Sequence, residues 1–200
     1  MHILRKIINK KNHLLSSQFV RQVLTLLSGA SIAQALPILV SPLLTRLYSP
    51  EAFGLLAVFM MLVNVFTVAS SAKYEQSIML ADNERDANHL MAFSIWISLG
   101  MSVLLMALFT LFNSSISRIL NAPGISPWLY VVPAVIFFRG IFQIFEVYSS
   151  RQKRFRGISV NRVLQRSVSS GSQVGLGFLG LEAAGLILSS LAGSFIGAVG

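Results

Sequence analysis

Long apolar runs, separated by short polar segments, fill almost the whole of this chain. A hydrocarbon core about 30 Å thick needs roughly 20 apolar residues to cross it as a helix. In such a core every backbone N–H and C=O must be paired within the protein, which leaves helices as the natural form for these runs. Five segments approach or reach that length, at 23–44, 55–72, 90–112, 128–148 and 168–181, the fifth being short and glycine-rich. A sixth opens near Gly185 and is still apolar at Gly200, which reads as a helix cut short. The expected fold class is all-α: a polytopic membrane helix bundle of about six transmembrane helices. Residues 1–22 are expected to form a basic interfacial N-terminal segment and 23–200 the membrane domain.

Composition agrees, with 54% hydrophobic and 12% charged residues and a mean hydropathy of +0.70. A soluble domain carries roughly twice that charge. The net charge of +9 would suggest nucleic acid in a soluble protein. Here the basic residues flank apolar spans, so membrane lipids with anionic headgroups, and no nucleic acid, are the expected partners. The chain has no cysteine, which excludes disulfides, iron–sulfur clusters and thiolate zinc sites.

The basic residues also predict an orientation, because Lys and Arg are retained in cytoplasmic loops. Arg151, Lys153, Arg154, Arg156, Arg162 and Arg166 crowd the segment 150–167, read as a loop. With a cytoplasmic N-terminus, these join Arg5, Lys6, Lys10, Lys11, Arg21, Lys73 and Arg85 inside, against Arg46 and Arg118 outside. Trp128 and Tyr148 bracket the fourth span as interfacial anchors. Ala33-Gln34-Ala35 imitates a signal-peptide cleavage site, but the apolar run continues past it to Leu44. An uncleaved first span is therefore expected, with residues 3 to 15 as a short helix on the cytoplasmic interface.

Several motifs suggest chemistry that their context does not support. Gly175-Leu176-Gly177-Phe178-Leu179-Gly180 spells a dinucleotide fingerprint, yet lacks the preceding strand and later acidic residue that the motif requires. Gly171 with Gly175, and Gly193 with Gly197, have instead the spacing of tightly packed membrane helices. Asp82, Glu84 and Asp86 resemble metal-binding carboxylates, but a helix N-terminus also favours negative charge, with Asn83 as its cap. His2, His13 and His89 are isolated, so no metal site is expected. Asn113-Ser114-Ser115 matches a glycosylation sequon that carries weight only in a eukaryotic host. With no Ser-His-Asp or phosphate-loop pattern, the chain is not expected to be an enzyme or to hold a cofactor.

Two features remain. Pro37 and Pro42 each remove a backbone donor from the first span, as a helix break beside a wet cavity or as a simple bend. Gln34, Ser41 and Thr45 would add polar lining. Arg139 lies near the middle of the fourth span, where a charge costs at least about 2.5 to 3.5 kcal/mol and so needs a cavity or a partner. Gln143 and Glu146 follow on the same helical face, and an internal Arg139–Glu146 pair is the competing arrangement.

Gly29-Ala30-Ser31-Ile32-Ala33-Gln34-Ala35, followed by Pro42-Leu43-Leu44-Thr45-Arg46-Leu47-Tyr48-Ser49-Pro50-Glu51-Ala52-Phe53-Gly54 and then Lys73-Tyr74-Glu75-Gln76-Ser77-Ile78, resembles the opening of the polysaccharide flippases. These belong to the multidrug, oligosaccharidyl-lipid and polysaccharide exporter superfamily. The resemblance implies one half of a twelve-to-fourteen-helix transporter in a bacterial inner membrane, with two bundles rocking around a cavity. Its implied substrate is an undecaprenyl-pyrophosphate-linked oligosaccharide for O-antigen or capsule, and its implied surroundings include polysaccharide polymerase machinery. Charge and depth then suggest Arg139 as the contact to pyrophosphate or an acidic sugar. Gln143 and Gln34 would bond sugar, Glu146 would share the Arg139 face, and Arg46 would attract the headgroup at the outer end. The rival readings are a cation-coupled multidrug exporter, which needs buried carboxylates, a membrane glycosyltransferase or polymerase, which needs a large loop, and a truncated non-transporting remnant or scaffold.

Overall fold

A computed structural model describes the backbone of residues 2–71, 74–81 and 83–199, with side chains for Val20 and for 23–68, 75–81 and 83–199. Among these residues eight α-helices follow in order: α1 (His2–Leu47), α2 (Pro50–Ser71), α3 (Ser77–Leu80), α4 (Glu84–Leu111), α5 (Asn113–Ile119), α6 (Val132–Arg151), α7 (Phe155–Phe178) and α8 (Glu182–Val199). Two 3-10 helices, Tyr74–Gln76 and Pro123–Tyr130, precede α3 and α6, and no strand occurs among the described residues. Val23–Leu47, Pro50–Val68, Glu84–Leu111, Val132–Arg151 and Glu182–Val199 are long and apolar enough to cross a membrane. The chain is thus an all-α, multi-pass membrane bundle.

The sixth long helix, α7, differs from the sequence expectation. The basic segment 150–167 is not the expected loop: only the turn at 152–154 is non-helical, with Lys153 at φ 59°, and α7 starts at Phe155. Arg162 and Arg166 are therefore residues of a helix, Arg162 half-buried and Arg166 exposed. Helix α7 packs along α1 on one side and α8 on the other, so part of its polar surface, Ser159 and Ser170 included, meets protein. Helix α1 also departs from expectation by running unbroken from residue 2 through Pro37 and Pro42, so residues 3 to 15 share a helix with the first span. Lys73, Asp82 and the side chains of His2, His13 and the basic residues up to Arg21 lie outside the described residues.

The main core joins α2, α4, α6 and α8 around Phe59, Phe109, Ile136 and Ile187, with Ile125 and Leu129 of the second 3-10 helix filling one end. Elsewhere small residues bring helices together, as expected where lipid is as apolar as leucine and close packing must hold the helices. A Cβ on Gly29 would lie 2.5 Å from Ser159 Cβ, and one on Gly193 would lie 2.9 Å from Ser169 Cβ. At the other end of α1, the Tyr48 ring fills the space left by Gly177 and Gly185, and its hydroxyl donates to the Gln173 carbonyl at 2.5 Å. Leu24, Leu39, Trp96 and Leu104 form part of the exposed apolar surface.

Local chemistry settles several motifs. Asn83 Oδ1 accepts the Asp86 backbone N–H at 2.9 Å, capping α4. The glycine fingerprint is the end of α7 and the turn into α8, where Gly180 takes φ 70°. Asn113 of the sequon is buried and donates through Nδ2 to the Ser126 carbonyl at 2.9 Å, so it is a packing residue.

Candidate functional site

A polar cavity of about 100 Å³ opens where α1, α2, α6, α7 and α8 meet. Pro37 and Met60 form its apolar side, and Arg139 enters from α6. Helix α7 contributes Gln165, Arg166, Ser169, Ser170 and Gln173, and α8 adds Ser190, Gly193 and Ser194. Residues 162, 166, 169 and 173 recur at three- and four-residue steps, which places one polar stripe of α7 on the cavity side. Both arginines are near the middle of their helices, so the cavity lies away from the helix ends.

The electrostatics of this cavity are one-sided. Arg139 donates through Nη1 to Asn64 Oδ1 at 2.9 Å, and Nη2 lies 3.4 Å from Met60 Sδ. Neither contact supplies negative charge, and a guanidinium has five donors to satisfy. Arg166 lines the same cavity and repels Arg139, and no carboxylate lines it among the described residues. Ser190 is buried, and its Oγ has no hydrogen-bond partner. Two cations with several hydroxyls and amides, free of any acid, are complementary to an oxyanion such as phosphate.

Of the residues named from sequence, Arg139 and Pro37 line this cavity. Gln143, one turn along α6, donates instead to Glu75 Oε1 at 2.8 Å. Glu146 is ion-paired to Arg162 of α7, so the Arg139–Glu146 pair is not formed. Gln34, Arg46 and Pro42 are exposed and outside the cavity lining. Sequence reasoning missed the contribution of α7, although its Arg, Gln and Ser residues already repeat at helical spacing. It also passed over Glu75, which is only 3% exposed and lies in a 3-10 turn beyond the apolar run.

A family model described as "Polysaccharide biosynthesis protein" matches residues 43–200. The chain belongs to this family. Its role therefore lies in polysaccharide biosynthesis, in a family of transporter type. No curated protein and no solved structure matches the chain. The match starts at Leu43 and so takes in α2 to α8, including every cavity residue except Pro37.

Proposed function

We propose that this polysaccharide biosynthesis protein forms a helix bundle of a flippase that moves lipid-linked oligosaccharide across the bacterial inner membrane for O-antigen or capsule assembly. The observation that carries this reading is the cavity midway along α6 and α7, with Arg139 and Arg166 and, among the described residues, no acid in its lining. An undecaprenyl-pyrophosphate headgroup is anionic and polar, and it needs a hydrated cationic path while its lipid tail stays in the bilayer. Two like charges lining one cavity repel each other, and an anion between them relieves that repulsion. Gln165, Gln173 and the serines offer neutral hydrogen bonds to sugar hydroxyls or phosphate oxygens. A second, related bundle would complete the path, and rocking of the two would give alternating access.

The test is polymer display in cells in which the transporter carries Arg139→Ala or Arg166→Ala. Loss of surface polymer with accumulation of lipid-linked intermediate on the cytoplasmic side supports the reading. Full display in both variants overturns it.

Cation-coupled export of small molecules draws on one observation, the burial of the Glu75 carboxylate against Gln143. Glu75→Gln separates the two readings: drug resistance lost with polymer display intact would favour the exporter.

A further inference from the structure

A second cavity, of about 280 Å³, shares no lining residue with the first and lies where the α6–α7 turn meets residues 197–199. Its position beside the α6–α7 turn corresponds to the headgroup level of one leaflet, and its walls divide by chemistry. On one side are hydrogen-bond donors. Arg154, an exposed residue in the turn, caps α7 without any side chain accepting from the first-turn N–H groups. Those N–H groups and the helix dipole favour an anion. Gly157, on that first turn, leaves open space where a side chain would stand.

On the other side are acceptors. Asn161 donates through Nδ2 to the Gly197 carbonyl at 3.0 Å, which fixes the orientation of its amide. Its Oδ1 is consequently buried with no partner, and a buried acceptor of this kind calls for a donor. Glu146 stands in the same wall, with Arg162 as its ion-pair partner. Phe142 and Phe145 line the cavity as well, and Phe145 is 39% exposed, which leads from the polar walls to the lipid-facing surface.

A phosphate alone would satisfy the donors and leave Asn161 and Glu146 facing it with lone pairs. A choline headgroup has the second charge but no N–H to give. We infer that this cavity binds the headgroup of an aminophospholipid from the leaflet bordering the α6–α7 turn. Its phosphodiester lies against Arg154 and the start of α7, its primary ammonium against Asn161 Oδ1 and Glu146, and its glycerol against the phenylalanines. The site is separate from the Arg139 cavity and does not depend on what the protein transports.

The experiment is native mass spectrometry of the protein released from nanodiscs with equal phosphatidylethanolamine, phosphatidylcholine and phosphatidylglycerol of matched acyl chains. Retention of phosphatidylethanolamine about tenfold over phosphatidylcholine is expected, the effect of one charge-assisted hydrogen bond. Asn161→Leu should erase that preference, and Arg154→Gln, a change at an exposed position, should lower retention of all three lipids. Equal retention of the ethanolamine and choline lipids, or greater retention of phosphatidylglycerol, overturns the inference. An Arg154→Gln protein that holds lipid as the parent does would overturn it as well.

Discussion

Arg139 shows how far a single residue's depth can be read from sequence and where that reading stops. Its position in an apolar run marks it as costly, at least about 2.5 to 3.5 kcal/mol at mid-membrane, and so as paired or functional. The sequence spacing offered Glu146 as the partner, but Glu146 points to Arg162 and Arg139 to Asn64. Spacing along one helix shows which residues share a face and cannot say which neighbouring helix each one meets. The functional consequence is that Arg139→Ala should abolish polymer export with membrane abundance near normal. Arg139→Lys should retain part of it, since the charge remains while the planar fork is lost. Immunoblots beside polymer gels measure both. The Glu146–Arg162 pair is partly exposed, with side chains 23% and 36% accessible, so Glu146→Ala should cost only about 1 kcal/mol or less, seen as a small fall in melting temperature. The double change Arg139→Ala with Glu146→Ala should not recover export, because the two residues are not partners. Recovery would contradict the geometry described for both.

At the scale of elements, α7 decides the architecture, and it is the helix that the sequence least revealed. Its apolar run is too short to announce a span, because the positions facing α1, α8 and the cavity are Ser, Gln, Asn and Arg. Hydropathy registers contact with lipid, and the polar residues by which α7 meets α1 and α8 lower it. The glycine spacings were legible in part. Gly193 and Gly197 do meet α7, at Ser169 and Gln165, whereas Gly171 and Gly175 face open space. A four-residue repeat fixes a common face without fixing whether anything packs on it. The tightest approach between α1 and α7 is at Gly29, where an added Cβ would stand 2.5 Å from Ser159 Cβ and 3.0 Å from its Cα. Backbone contact of this kind cannot be relieved by turning a side chain. Gly29→Ala should therefore force the helices apart at a cost of about 1–3 kcal/mol. Reduced thermal stability in detergent would register it. Gly157→Ala, placed in open space, should leave the melting temperature nearly unchanged, and equal losses in the two variants would argue against close packing at Gly29.

For the whole molecule, the all-α multi-pass class was legible because backbone hydrogen bonding in hydrocarbon leaves so few alternatives, and five apolar stretches declare themselves by length. The cavity was not legible as a whole, since it is assembled from five helices distant in sequence. Orientation depends on the charges at the span ends once Arg139, Arg162 and Arg166 are placed along helices. Among the described residues, Arg85, Arg151, Lys153, Arg154 and Arg156 then lie at one end of the spans, and Arg46 and Arg118 at the other. The margin is narrower than the sequence count of thirteen against two, yet it has the same sign. Retention of Lys and Arg in short loops near span ends should hold the first group in the cytoplasm. The turn at Lys153 and the loop at Asn121, both with positive φ outside helices, are the places where a fused reporter would disturb the bundle least. A phosphatase fused after Asn121 should be active and one after Lys153 inactive, with a fluorescent protein giving the converse. Phosphatase activity at Lys153 alone would invert the bundle, and activity at both sites would show that α6 does not cross the membrane.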